Sequence, residues 1–143
     1  MSRIRSIKRT GGTLELASMN DKAADHFRAF TRGGMPAHHL VCPLDKRARA
    51  ARPDAMTNTN LSYFLSLNAP KARGTWILSG NRNLFFVAES NSMRHAAWRA
   101  ETGLHGDTGY LLMLDGSVIR VGDEELNKCF HEAGNITNRL AIP

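Results

Sequence analysis

Nowhere in these 143 residues does an apolar run approach the roughly 20 positions that a helix needs to cross a bilayer. Cysteine is scarce too. Cys42 and Cys129 stand far apart with no CxxC pair, which is thin for a disulfide framework and makes reduced core thiols in a cytoplasmic protein the expectation. The basic start Met1-Ser2-Arg3-Ile4-Arg5 is followed by no apolar stretch, so no secretory signal is expected. The glycosylation patterns at Asn60-Leu61-Ser62 and Asn135-Ile136-Thr137 then have no consequence. No phosphate-cradling glycine loop and no nucleophile motif is found, and no cofactor is expected. With 42% apolar and 22% charged residues the composition is that of an ordinary globular chain, read as a single domain over 1–143.

Acidic residues are the other shortage, and it is local. From Met1 to Arg52 eleven Lys or Arg face four acids, a balance of +7, whereas the rest of the chain carries eight basic and nine acidic residues. Fourteen of the nineteen basic residues are Arg, whose planar fork of donors matches phosphate well. Arg3, Arg5, Lys8 and Arg9 lie on an expected hairpin, and Lys46, Arg47, Arg49 and Arg52 lie on a stretch, 43–60, that reads either as a short helix over Asp45–Arg52 or as a flexible basic loop. Two basic segments beside a globular core suit a phosphate backbone. The competing explanation is a solvated edge guarded by charge against strand pairing.

The hydrophobic period points to α+β: a mostly antiparallel sheet of three hairpins with three helices packed on it, in ββα units. Ile4 and Ile7 with Leu14 and Leu16 flank Gly11-Gly12. Thr75–Ser79 and Leu84–Ala88 flank Gly80-Asn81-Arg82-Asn83, and Tyr110–Leu114 and Ser117–Val121 flank Asp115-Gly116. Helices are expected over 21–32, from Ala23, Phe27 and Phe30; over 91–102, from Met93, Ala96, Ala97 and Ala100; and over 123–133, from Leu126, Cys129, Phe130 and Ala133. His38–Cys42 reads as a short strand stopped by Pro43, and Leu61–Leu67 as another strand.

Aromatic residues on expected strands offer a stacking surface for bases, with Tyr63, Trp76 and Trp98 the candidates, although core is the better account of most strand aromatics. His38, His39, Cys42, Cys129 and His131 are metal-ligand types without a ligand spacing, so no metal is expected. His105-Gly106-Asp107-Thr108-Gly109 contains the Asp-Thr-Gly triplet of aspartic proteases in one copy and without the preceding apolar strand. A turn explains it better.

The resulting expectation is a small basic, non-enzymatic binding protein for a phosphate-bearing ligand, nucleic acid or nucleotide. An inhibitor or adaptor docking on an acidic or nucleic-acid-handling protein is the alternative. A hydrolase using His105 and Asp107 is the second alternative. The Tyr110–Val121 hairpin, apolar on both faces except for Arg120, is expected to sit in a homo-oligomer interface.

Overall fold

The computed structural model describes residues 6–7, 14–16, 23–67, 76–88, 94–100, 103–132 and 138–143. Two short strands, β1 (Ser6–Ile7) and β2 (Leu14–Leu16), precede helix α1 (Ala23–Arg32). An irregular stretch with 3-10 turns at Ala37–Leu40, Pro53–Ala55 and Asn58–Asn60 leads to β3 (Tyr63–Ser66). Then come β4 (Ile77–Asn81), β5 (Leu84–Ala88), β6 (Arg94–Trp98), β7 (Gly109–Met113), β8 (Val118–Val121), helix α2 (Asp123–Glu132) and β9 (Asn138–Ala141).

The fold is α+β. One sheet has the order β1-β2-β9-β3-β4-β7-β8, and β5 with β6 forms a separate two-stranded sheet. The five strands from β9 to β8 are all antiparallel neighbours, and β2 joins β9 in parallel. Strand alternation sends consecutive side chains to opposite faces. Phe64, Ile77, Leu111, Met113 and Leu140 enter one core with Trp98 of β6 and with Leu126 and Phe130 of α2. Burying each such side chain contributes roughly 1.5–3 kcal/mol. Tyr63, Leu65 and Ala141 turn to the other face, where Ala23, Ala24 and Phe27 of α1 pack with Leu40, Met56 and Leu61. No helix among the described residues is long and apolar enough to cross a membrane.

Close approach explains two glycines. A Cβ on Gly109 would lie 2.5 Å from the Trp98 ring, and one on Gly80 would lie 2.7 Å from both Phe64 and Leu111. Gly80 is therefore a packing position inside β4 and not the hairpin turn that its Gly-Asn-Arg-Asn context suggests.

Three expectations are corrected. Of the three expected helices only two are present, since the stretch 91–102 holds β6. Its alanines satisfy helical spacing, yet Leu84 faces Trp98 and Phe86 faces Ala96 across an antiparallel pair. The outer edge of β6 is satisfied by side chains of α2. Asn127 accepts from Ala96 N at 2.9 Å and donates to Ala96 O at 2.8 Å, and Asp123 Oδ1 accepts from Trp98 N at 2.9 Å. Tertiary hydrogen bonds override the local spacing. The second correction follows from it: β4 pairs with β3 and β7, not with β5, so the expected central hairpin is absent and the three ββα units do not form. The expected strand at His38–Cys42 is replaced by the 3-10 turn Ala37–Leu40.

Candidate active site

Helix α1 ends by wrapping its last carbonyls. Gly34, at φ 101°, lets its own N–H reach Thr31 O at 3.1 Å and the Met35 N–H reach Phe30 O at 3.3 Å. This is the double closure of a Schellman motif, which glycine permits because it has no Cβ. Phe30 and Met35 are thereby brought to one side of a cavity of about 830 Å³. Its opposite wall is the α1-side face of the sheet: Tyr63 and Leu65 of β3, Leu78 of β4, Tyr110 and Leu112 of β7, and Val118 of β8.

The cavity is lined by two groups that sequence spacing does not join. Cys42 Sγ lies 3.4 Å from His105 Nε2, across 63 positions of chain. Both residues line the cavity, and Cys42 is buried.

Each partner is held by its own scaffold. The Cys42 N–H donates to Ser62 Oγ at 2.9 Å, and Ser62 Oγ donates to Asp45 Oδ2 at 2.7 Å. Arg82 closes on Asp45 with both arms of its fork, Nε to Oδ2 at 2.7 Å and Nη2 to Oδ1 at 2.9 Å. Such a bidentate pair fixes geometry as well as charge. Burial alone would raise the Asp45 carboxyl. Hydrogen bonds from Arg82, Ser62 and the Arg47 backbone, with the Arg82 charge, outweigh it and bring the group from 3.8 to about 2. The loop bearing the thiol is thus anchored to the mouth of the β3–β4 pair.

His105 sits in a turn with left-handed residues around it: Gly103 at φ 71°, His105 at 34° and Gly106 at 66°. A histidine in that region is strained, and strain of this kind concentrates at functional positions. Thr108 pins the turn, its Oγ1 donating to His105 O at 2.8 Å, and Arg120 donates to the same Oγ1 through Nε and Nη2 at 3.1 Å. The imidazole stands edge-on to Tyr110, with ring centres 4.9 Å apart.

Two further polar groups line the cavity. Tyr63 and Asn81 are direct cross-strand partners. Asn81 Oδ1 accepts from Tyr110 N at 2.6 Å, which fixes the orientation of its amide. Burial, and then the negative charge of Cys42 and Asp45 when ionised, raise the Tyr63 phenol above its ordinary 10, and a hydrogen bond with Cys42 adds to the rise. Tyr63 therefore remains an O–H donor throughout the neutral range.

The residues singled out from the sequence scatter. Arg3, Arg5, Lys8 and Arg9 lie outside the described residues. Lys46, Arg49 and Arg52 are exposed, while Arg47 turns inward and donates through Nη1 to Asn58 O at 2.7 Å and Leu61 O at 2.8 Å. Trp76 and Trp98 are buried, and of the three stacking candidates Tyr63 alone lines the cavity. Asp107 is exposed, and among the described residues no hydrogen bond joins it to His105. Leu112 and Val118 of the hairpin read as an oligomer interface stand at the cavity wall, exposed. No group of three or more His, Cys, Asp or Glu suited to a metal ion occurs among the described residues.

Sequence reasoning weighed Cys42 as a metal ligand and His105 with Asp107, and it passed over Asn81 as a turn residue. The one local signal is His105 beside the Asp107-Thr108-Gly109 triplet, a stretch that reads as a turn.

Comparison of the chain with family models, with curated proteins and with solved structures gives no match in any of the three.

Proposed function

We propose that this chain is a thiol-dependent acyl hydrolase in which Cys42 is the nucleophile and His105 the general base and acid. The observation that carries the reading is the 3.4 Å approach of Cys42 Sγ to His105 Nε2 on the wall of a substrate-sized cavity. A nucleophile and a base within hydrogen-bond reach are the minimal unit of covalent acyl transfer.

The reaction balances with groups of this chain and water. His105 Nε2 takes the Cys42 thiol proton, and the sulfur attacks the carbonyl carbon of an ester or thioester. The carbonyl oxygen takes up the displaced electron pair, with the Tyr63 hydroxyl and the Asn81 amide, which line the same cavity, as its proposed donors. Collapse expels the alcohol or thiol, which leaves with the proton held by His105, and the acyl group stays on Cys42 as a thioester. Water, deprotonated by His105, then releases the carboxylic acid and restores the thiol. Turnover of simple acyl esters that disappears in Cys42→Ala tests this reading. Asp107→Asn separates it from a hydrolase that depends on the His105–Asp107 pairing, because in the present mechanism Asp107 touches nothing that reacts.

A second reading, binding of a phosphate-bearing ligand such as nucleic acid, is favoured by one observation. Lys46, Arg49 and Arg52 project from the segment after Cys42 exposed and without an acidic partner among the described residues. Affinity for a single-stranded oligonucleotide should then fall with salt, with a slope near −0.7 per phosphate neutralised. Replacing the three by Ser should flatten that slope by about 2, and an affinity indifferent to salt contradicts the reading.

A further inference from the structure

We infer that the acyl group this site accepts is a long hydrocarbon chain, with the cavity as its berth; the inference rests on the acyl-transfer reading above. The cavity crosses four adjacent strands, from Tyr63 on β3 over β4 and β7 to Val118 on β8. At about 4.8 Å per strand that path spans roughly 14 Å. Its volume of about 830 Å³ is far more than the roughly 30 Å³ that one water occupies in the liquid, about the size of one methylene, and leaves room for a chain of about ten carbons along that path.

The polar atoms of the wall argue against a peptide. Ser79 Oγ donates to Phe64 O at 2.6 Å, Ser66 Oγ accepts from Trp76 Nε1 at 3.2 Å, and Asn81 Oδ1 accepts from Tyr110 N at 2.6 Å. Each of these three oxygens already has a partner inside the protein, and the Tyr63 hydroxyl and Asn81 amide N–H are the donors assigned to the reacting carbonyl. A peptide laid along the same path would bury amides with few partners, and each unmet amide costs more than the burial of its apolar atoms returns. A hydrocarbon asks for no partner. It would also cover the apolar surface that now faces water, where Phe30 is 50% exposed, Leu112 38% and Val118 63%.

Two measurements test the inference and keep it distinct from the acyl-transfer reading. The first is equilibrium binding of straight-chain carboxylic acids, from butanoic to tetradecanoic, to the Cys42→Ala protein. The second is kcat/KM of the native protein for p-nitrophenyl esters of the same acids. Both should rise by up to about fourfold per added methylene until the cavity is filled. Leu112→Trp, at an exposed position on the cavity wall, should move the plateau to shorter chains. Binding that grows with length while no ester is turned over overturns the acyl-transfer reading and leaves the berth. Turnover through Cys42 with no dependence on length, in either measurement, overturns the berth and leaves the reading. A flat series accompanied by a dimer mass in light scattering, which Leu112→Trp converts to a monomer, assigns this face to a second copy of the chain and also overturns the inference.

Discussion

Replacing Cys42 by Ala is expected to abolish ester turnover, and replacing His105 by Gln is expected to lower kcat by about 10²–10⁴, the range that general acid–base catalysis commonly contributes. The two losses should not add. Without the thiol there is no acyl intermediate for His105 to form or resolve, so the double variant should match Cys42→Ala. Cys42→Ser is the more searching variant, because its hydroxyl is a far weaker nucleophile at neutral pH and depends more on the base. It should retain a trace of activity that His105→Gln removes. Stability must be followed alongside by urea unfolding. His105 occupies a strained left-handed position, and Gln will not relieve that strain, so the activity loss should appear without a large change in midpoint.

The second large effect concerns stability and lies at the anchor of the thiol loop. Arg82→Met should destabilise the fold by about 3–5 kcal/mol, because it leaves Asp45, whose side chain is 2% exposed, buried without its cation. Asp45→Asn in the same background should recover part of the loss, since the stranded charge is then gone. Acid should reproduce the effect in the native protein. The Asp45 carboxyl lies at about 2 in the fold and near 3.8 once unfolded, so the unfolded chain takes up the proton first as pH falls. Its contribution, on the order of 2 kcal/mol, is complete above pH 4 and is lost as pH drops toward 2. Urea midpoints measured from pH 5 to 2 should converge between the native protein and Asp45→Asn. Parallel curves would show that Asp45 is not the group titrating in that window.

How much of this was legible in the sequence depends on how local the signal is. Helices α1 and α2 carry their own apolar stripes, and Gly33-Gly34 marks the end of α1 where the Schellman closure forms. The stretch 91–102 misled because its alanines fit a helix equally well, and what decides its state is Asn127, some thirty positions away on α2. β4 pairs with β3 and β7 instead of β5 for a related reason. Gly80-Asn81-Arg82-Asn83 has turn composition, but Gly80 is there to admit Phe64 and Leu111, and Arg82 is there to hold Asp45. Charge drew attention to Arg47 as a phosphate ligand, and only the tertiary structure turns it onto two backbone carbonyls. The site was half legible. His105 is legible beside Asp107-Thr108-Gly109 as part of a turn with a candidate acidic partner, whereas its pairing with Cys42 depends on the loop after α1 meeting the turn before β7, which no spacing encodes.

The most direct measurement is capture of the acyl intermediate. The protein is mixed with p-nitrophenyl decanoate, quenched in acid within the first turnover, and weighed intact before peptide mapping. The account predicts a mass gain of one decanoyl group on the peptide containing Cys42, removed by neutral hydroxylamine as a thioester should be and absent in Cys42→Ala. Ester turnover that persists unchanged in Cys42→Ala, or an adduct found on Cys129 and on lysines but not on Cys42, would contradict it.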